Sequence, residues 1–199
     1  MSIANYLTFI RLLISPIFLL LYVEYKALDI CYEWLPYILL ILFGISELSD
    51  AFDGYIARKY NQVTDLGKIL DPMADSIYRT SVFLTFTLEP IKLPMVIIFV
   101  FLYRDSVIST LRTICALKGF ALAARKSGKI KAFIQAVATF LVIMLMIPHS
   151  LGYLSLQDLR FMSAWIVGTA AGYSFFSGLD YIYANRSYIK LLLLPVKSG

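Results

Sequence analysis

Residues 49–75 read SDAFDGYIARKYNQVTDLGKILDPMAD, which places five aspartates and an arginine inside a chain that is otherwise very apolar. The 199 residues are 60% hydrophobic and only 16% charged, and the mean hydropathy is +0.77. That apolar share lies well above the range of water-soluble domains and points to a bilayer. The carboxylates then need a reason, because an ionisable side chain at a membrane face is costly and is a functional residue by default.

Outward from this stretch, the rest of the chain divides into apolar runs. A spanning helix needs about 20 mostly apolar residues at about 1.5 Å each, and such runs lie near 6–23, 34–50, 69–88, 91–117, 130–148 and 159–183. The expected fold class is all-α: a polytopic membrane protein whose six transmembrane helices form one bundle, a single domain over residues 1–199. A barrel would require an alternation of period two, which these runs lack. The opening MSIANYLTFIRLLISPIFLLLY holds Arg11 mid-run and no small-residue cleavage site follows it, so it reads as a retained first span and not as a signal peptide.

Short cytoplasmic loops carry the excess of Lys and Arg. One alternate set of connections holds eleven: Arg58, Lys59, Lys68, Lys118, Arg125, Lys126, Lys129, Lys131, Arg186, Lys190 and Lys197. The opposite set holds three, Lys26, Lys92 and Arg160. Both termini and residues 49–75 are therefore expected on the cytoplasmic side of a bacterial inner membrane. Arg11, Arg79, Arg104 and Arg112 fall within or at the ends of spans, where loop charge does not account for them. The basic balance belongs to a membrane surface, and no nucleic-acid partner is implied. Cys31 and Cys115 fall on opposite sides by this topology, which argues against a mutual disulfide and makes both packing residues. His149, beside Pro148, reads as a solvated residue of an outer loop.

Asp50 and Asp53 are three apart and Asp71 and Asp75 four apart, so each pair occupies one helix face. A turn around Asn61 to Gly67 would let the two helices pack antiparallel and bring the four carboxylates together. Clustered hard oxygens of this kind suit Mg²⁺ or Mn²⁺, and two such ions can clamp a phosphate that is being displaced. Gly54 and Ala57 extend the Asp50 face with small side chains, leaving room for a flat nucleotide. The plainer alternatives are an Asp71–Pro72 helix start and small residues at a helix contact.

The stretch matches every position of the pattern D-x2-D-G-x2-A-R-x8-G-x3-D-x3-D, through Asp50, Asp53, Gly54, Ala57, Arg58, Gly67, Asp71 and Asp75. It thereby resembles the CDP-alcohol phosphotransferase family. The resemblance implies an integral membrane enzyme of six spans, a homodimer, that transfers a substituted phosphate from a CDP-linked donor to an alcohol and releases CMP. By it Asp50, Asp53, Asp71 and Asp75 would hold two divalent cations, Mg²⁺ or Mn²⁺, with Asp75 also the general base, and Gly54, Ala57, Arg58, Thr64 and Gly67 would serve the CDP moiety. The segments NYLTFIRLLISPIFL, RDSVISTLR, GKIKAFIQ and GLDYIY resemble the bacterial phosphatidylglycerophosphate synthase branch. In that branch Asn5, Thr8 and Arg11 form an N-x2-T-x2-R pattern expected at the donor site. Asp105 departs from the glutamate usual there, and Ala132 from a threonine.

The acceptor must be read outside the motif. Arg104 and Arg112 differ in helical direction by about 80°, so both can face one cavity, and the following loop adds Lys129 and Lys131 beside Arg125 and Lys126. Positive-inside bias and anionic lipid account for the last two, whereas Arg104 lies deep in a span. The four residues Arg104, Arg112, Lys129 and Lys131 are expected to bind an acceptor's phosphate, with Asp105 either orienting Arg112 or serving as a simple charge partner. The basic pocket favours an acceptor that carries a phosphate, and the resemblance to the branch named above implies membrane-embedded CDP-diacylglycerol as donor and glycerol 3-phosphate as acceptor. A sibling using inositol phosphate would share the basic pocket. A divalent-cation or proton transporter would instead spread polar residues through the full membrane depth, and the motif's aspartates gather at one face.

Overall fold

The computed structural model of the chain describes residues 3–59, 65–117 and 126–193, without the side chains of 3–9, 51, 53–59, 65–72, 116–117 and 190–193. The described residues form seven α-helices and no strand: α1 (Ile3–Glu24), α2 (Leu35–Lys59), α3 (Asp65–Thr85), α4 (Met95–Leu117), α5 (Lys126–Ser150), α6 (Leu156–Ala184) and α7 (Arg186–Leu193). Each expected apolar run falls in one of the first six, and α7 is an addition. Because α2 runs on to Lys59, Asp50 and Asp53 share one uninterrupted helix.

Three boundaries differ from the sequence reading. The helix α3 opens at Asp65, an acidic residue of the kind favoured at a helix start, so Gly67 lies in its first turn and Asp71–Pro72 is internal to the helix. Residues 126–131 are helix and not loop, since α5 starts at Lys126. Lysines at a helix N-terminus oppose the helix dipole; here Lys131 has Asp105 as its counter-charge, and Ser127 Oγ donates to Asp180 at 2.8 Å. At the other end of α5 the helix runs through Pro148 and His149. His149 is half-buried there, with Nδ1 2.9 Å from the carbonyl oxygen of Leu154 and its ring edge-on to Tyr32, so it is a packed helix end and not a solvated loop residue.

The helices alternate in direction. Arg11, near the start of α1, meets Asp50, near the end of α2, while Tyr22, near the end of α1, sits against Phe86. Helix α1 packs on α2 and α3, α2 on α5, α5 on α6, and α6 on α4. Buried aromatics key these contacts: Phe18 meets Phe86 edge-on with centroids 6.0 Å apart, and Phe83 stacks on Phe101 at 4.8 Å. The core continues through Leu35, Leu39, Val142, Ile143, Met146 and Val167. Ser155 caps α6 by accepting from the Asp158 amide at 3.1 Å, one oxygen-to-amide bond of the kind that helix starts favour. Gly152 (φ +80°) takes the left-handed conformation that turns the chain between α5 and α6.

By length and hydropathy alone, α5 is the single helix among the described residues apolar enough to cross a membrane, with a window mean of 2.3. Of the others, α4 carries Arg104, Asp105 and Arg112, α3 carries Asp75 and Arg79, and α6 is diluted by Gly, Ser and Tyr. Many of those charges point inward, whereas the bundle's outside carries large apolar side chains. Leu13, Ile17 and Leu20 of α1, Val96, Phe99 and Leu102 of α4, and Phe161, Trp165 and Phe176 of α6 are all exposed. The loop end adds Trp34, Tyr37 and Tyr153, the residue types that settle at membrane–water interfaces. Cys31 is exposed and Cys115 buried, both free thiols, so only Cys115 is the packing residue expected of both.

Candidate active site

The described aspartates of the motif are each gripped by a buried arginine. Asp50 Oδ1 lies 2.8 Å from Arg11 Nη1, and Arg11 itself is 1% exposed, so the first-helix arginine meets the motif through Asp50. Asp75 Oδ1 accepts from Arg79 Nε at 2.9 Å. Arg79 Nη1 donates to the carbonyl oxygen of Ala132 at 2.9 Å and stands 3.5 Å from Glu47 Oε1. Glu47, one turn before Asp50 on α2, is a further carboxylate of this site. Sequence spacing could have found it, since 47, 50 and 54 follow one helix face.

Asn5, Thr8, Asp53, Gly54, Ala57, Arg58, Gly67 and Asp71 lie on α1, α2 and α3, but their side chains are outside the described residues, as is Thr64 altogether. The helix positions still carry information. Asp50 and Asp53 are three apart on α2, and Asp71 and Asp75 four apart on α3, so each pair falls on one face of an unbroken helix.

Beside Asp75 opens a cavity of about 250 Å³ whose wall includes Ser76, Arg104, Asp105, Arg112, Lys129 and Lys131. All four basic residues expected at an acceptor phosphate thus share one cavity with Asp75. Of the two roles open to Asp105, it takes that of a charge partner. Asp105 does not orient Arg112: its carboxylate accepts from Lys131 Nζ at 2.7 and 2.8 Å, from Arg104 Nη1 at 2.9 Å and from Ser76 Oγ at 3.2 Å. Residue 105 sits beside Arg104 on α4 and opposite the first turns of α5, which brings Lys131 within reach while Arg112 is carried two turns away. Arg112 instead donates from Nε to Tyr181 Oη at 3.2 Å, its guanidinium 5.1 Å from the centre of the same ring.

Helix α6 supplies a floor that sequence reasoning missed. Arg104 Nη2 donates to Ser177 Oγ at 3.1 Å, and a Cβ on Gly178 would stand 2.9 Å from Arg104 Cγ. Gly178 is therefore the vacancy through which Arg104 passes. The signal lay in Gly178–Tyr181, a small residue followed by Asp180 and Tyr181 in the middle of an apolar run, but their partners on α4 and α5 are 53 to 73 residues away. Arg104 Nε is buried and has no hydrogen-bond partner among the described residues.

A helical bundle in which Asp50 and Asp75 are held by buried arginines, with a cavity walled by cations beside Asp75, is suited to an enzyme that handles phosphate esters. The sequence profile of CDP-alcohol phosphatidyltransferase matches residues 1–174. The chain belongs to that family, and its activity is that of a CDP-alcohol phosphatidyltransferase. It is similar to the CDP-diacylglycerol–glycerol-3-phosphate 3-phosphatidyltransferase of Bacillus subtilis (strain 168), 31% identical over 88% of this chain and 94% of the relative. The enzyme of the same description from Rickettsia typhi (strain ATCC VR-144 / Wilmington) is 30% identical over 94% of this chain and 98% of its own. A probable phosphatidylglycerophosphate synthase of Mycobacterium tuberculosis (strain ATCC 25618 / H37Rv) is 30% identical over 91% of this chain and 80% of its own.

Proposed function

We propose that this protein moves the phosphatidyl group of CDP-diacylglycerol onto a hydroxyl of glycerol 3-phosphate, giving phosphatidylglycerophosphate and CMP. The observation that carries the choice of acceptor is the cavity, in which Arg104, Arg112, Lys129 and Lys131 surround a space beside Asp75. Asp105 holds Arg104 and Lys131 in place, so the wall keeps its cations even when empty of substrate. An acceptor carrying its own phosphate matches that charge, whereas serine or another acceptor without a phosphate has no use for it.

The donor set fits hard cations. Asp50 is half-exposed despite its bond to Arg11, Asp75 reaches the cavity, and carboxylate oxygens are what Mg²⁺ and Mn²⁺ prefer. Asp50, Asp53, Asp71 and Asp75 would hold them. Two bound ions would neutralise the diphosphate and stabilise the departing CMP. The residues of the chain do the rest. Arg112 and Lys129 bind the acceptor's phosphate and set its hydroxyl toward Asp75, and Asp75 takes the hydroxyl proton as the oxygen attacks phosphorus. Asn5, Thr8, Arg11, Gly54, Ala57, Arg58, Thr64 and Gly67 belong to the donor side.

The membrane arrangement is part of the same proposal. Helices α1 to α6 cross the bilayer, the exposed apolar side chains face lipid, and the ion networks of α3 and α4 are shielded by the bundle. The carboxylate end and both termini face the cytoplasm of a bacterial inner membrane, and two copies pair as a homodimer. Position 126 substituted by cysteine should then resist a membrane-impermeant thiol reagent in intact cells, while a cysteine at Tyr153 should react. The reverse labelling would invert the topology.

For the reaction, purified protein is given labelled CDP-diacylglycerol with glycerol 3-phosphate, inositol phosphate or serine. CMP should be released with glycerol 3-phosphate alone. Release with inositol phosphate alone would move the protein to the sibling activity, and release with serine would remove the role given to the basic cavity.

A further inference from the structure

Arg79 is the arginine whose presence inside a helix the function above leaves unused. It is 7% exposed and touches three helices at once: Asp75 on its own α3, Glu47 on α2 and the Ala132 carbonyl on α5. A buried cation of this kind is poor value as a staple, because well-packed apolar side chains hold helices together without the cost of desolvation. Its geometry suggests another use. The planar guanidinium fixes the direction of each bond it makes, which a lysine ammonium on a flexible stem does not. Nε takes one oxygen of Asp75, and Asp75 lines the cavity, leaving its other oxygen for the substrate side.

The charges are consistent with this. Arg79 alone would neutralise Asp75, but Glu47 shares the guanidinium, so the three groups together keep one net negative charge. Ala132 is next to Lys131, which Asp105 anchors in the wall of the same cavity. One guanidinium therefore fixes the reacting carboxylate relative to the wall that binds the acceptor. We propose that Arg79, with Glu47 as its counter-charge, is the positioning residue that aims Asp75 at the acceptor's hydroxyl. This rests on the reading that Asp75 reacts.

The test compares Arg79→Lys, Glu47→Gln and Asp75→Asn as purified proteins in detergent, with thermal unfolding, steady-state kinetics and direct Mn²⁺ binding by electron paramagnetic resonance. Arg79→Lys keeps the charge and loses the fork. It should melt like the wild type, lower kcat by about 10- to 100-fold, as misplacement by about 1 Å does, leave both KM values within about 3-fold, and weaken Mn²⁺ binding by about 10-fold as Asp75 swings away. Glu47→Gln leaves Asp75 as the one carboxylate that the guanidinium meets and should lower kcat about 10-fold with KM unchanged. Wild-type kcat and Mn²⁺ affinity in Arg79→Lys would overturn the proposal, as would a raised KM at unchanged kcat. If Arg79→Lys does not fold, Glu47→Gln decides by the same criteria. If Asp75→Asn turns over normally, the role of Asp75 itself falls. An inactive Asp75→Asn beside a wild-type Arg79→Lys removes the positioning role alone.

Discussion

The two ends of the bundle both carry ion pairs, and they differ in where those pairs lie. At the carboxylate end Arg11, Arg79 and Lys131 are buried, and each meets an acidic partner on the same or another helix. At the opposite end Glu89 sits on the loop between α3 and α4, exposed, between Lys92 at 3.2 Å and the Arg160 guanidinium. Exposed pairs of that sort are weak and are screened by salt. Buried ones carry a desolvation cost that stability alone does not offset. The difference separates a working end, where charges are kept in fixed directions, from a closing end, where they dress a loop. The cavity at the closing end fits the same division. It is the roomier of the two, about 580 Å³, but it is lined mainly by Tyr22, Tyr25, Tyr32, Leu88 and Pro90, and burial pushes the Tyr32 hydroxyl up to about 12. Size does not mark the site; convergent charge does.

The comparison breaks most readily at Asp75. Asp75→Asn should lower kcat by about 10²–10⁴, with chelator abolishing what remains in the wild type. A variant with more than a tenth of wild-type turnover would place the base elsewhere. Next comes Arg112, whose partner is Tyr181 and not a carboxylate. Arg112→Ala removes a charge-assisted bond worth roughly 1.5–3 kcal/mol, so the KM for glycerol 3-phosphate should rise by about 10- to 100-fold at 1.4 kcal/mol per decade. The KM for CDP-diacylglycerol should stay put. If the donor KM moves in its place, the cavity binds the diphosphate and the assignment of its two sides is exchanged.

A smaller effect is expected at the floor of the cavity. Gly178→Ala places a methyl 2.9 Å from Arg104 Cγ, and because this is the stem of a side chain pinned at both Asp105 and Ser177, it cannot yield by a simple rotation. Overpacking of this kind costs about 1–3 kcal/mol of stability. The acceptor KM should rise a few-fold while the donor KM holds. Unchanged melting and kinetics would mean that Arg104 has a second rotamer and that the vacancy is not required.

The sequence made some of this site visible and hid the rest for a physical reason. Spacings of three and four place Asp50 with Asp53 and Asp71 with Asp75, since a helix face is a local property. The common cavity of Arg104 and Arg112 followed from their helical directions in the same way. For Asp105 the spacing left Arg112 and a simple charge partner both open, because the choice among its neighbours is made by α5, which brings Lys131 from 26 residues away. The bonds from Arg79 to Glu47 and Ala132 and from Arg112 to Tyr181 are likewise set by how separate helices dock. So are the packed end of α5 at His149 and the helical start at Lys126. The same separation bears on hydropathy: the charges of α3 and α4 have partners on other helices, as Asp105 has Lys131 and Arg79 has Glu47, and hydropathy counts them one helix at a time.

The closing end supplies the smallest effect, and the sign of its pH dependence can be worked out in advance. A hydrogen bond from Lys92, and then one from Arg160, holds the Glu89 carboxyl below the ordinary 4.5 of a glutamate. A carboxyl lowered on folding adds stability that is present above its unfolded pKa and is lost as the pH falls through the folded one. Glu89→Gln should therefore melt slightly below the wild type at pH 7, and the two should converge only once the pH has fallen below the lowered pKa of folded Glu89, where both side chains are uncharged. High salt at pH 7 should narrow the gap as well. Turnover at saturating substrate should be equal in the two proteins, since no residue of the basic cavity touches this loop among the described residues. A large loss of activity in Glu89→Gln would mean that the two ends are coupled through α3, and the division between a working end and a closing end would have to be abandoned.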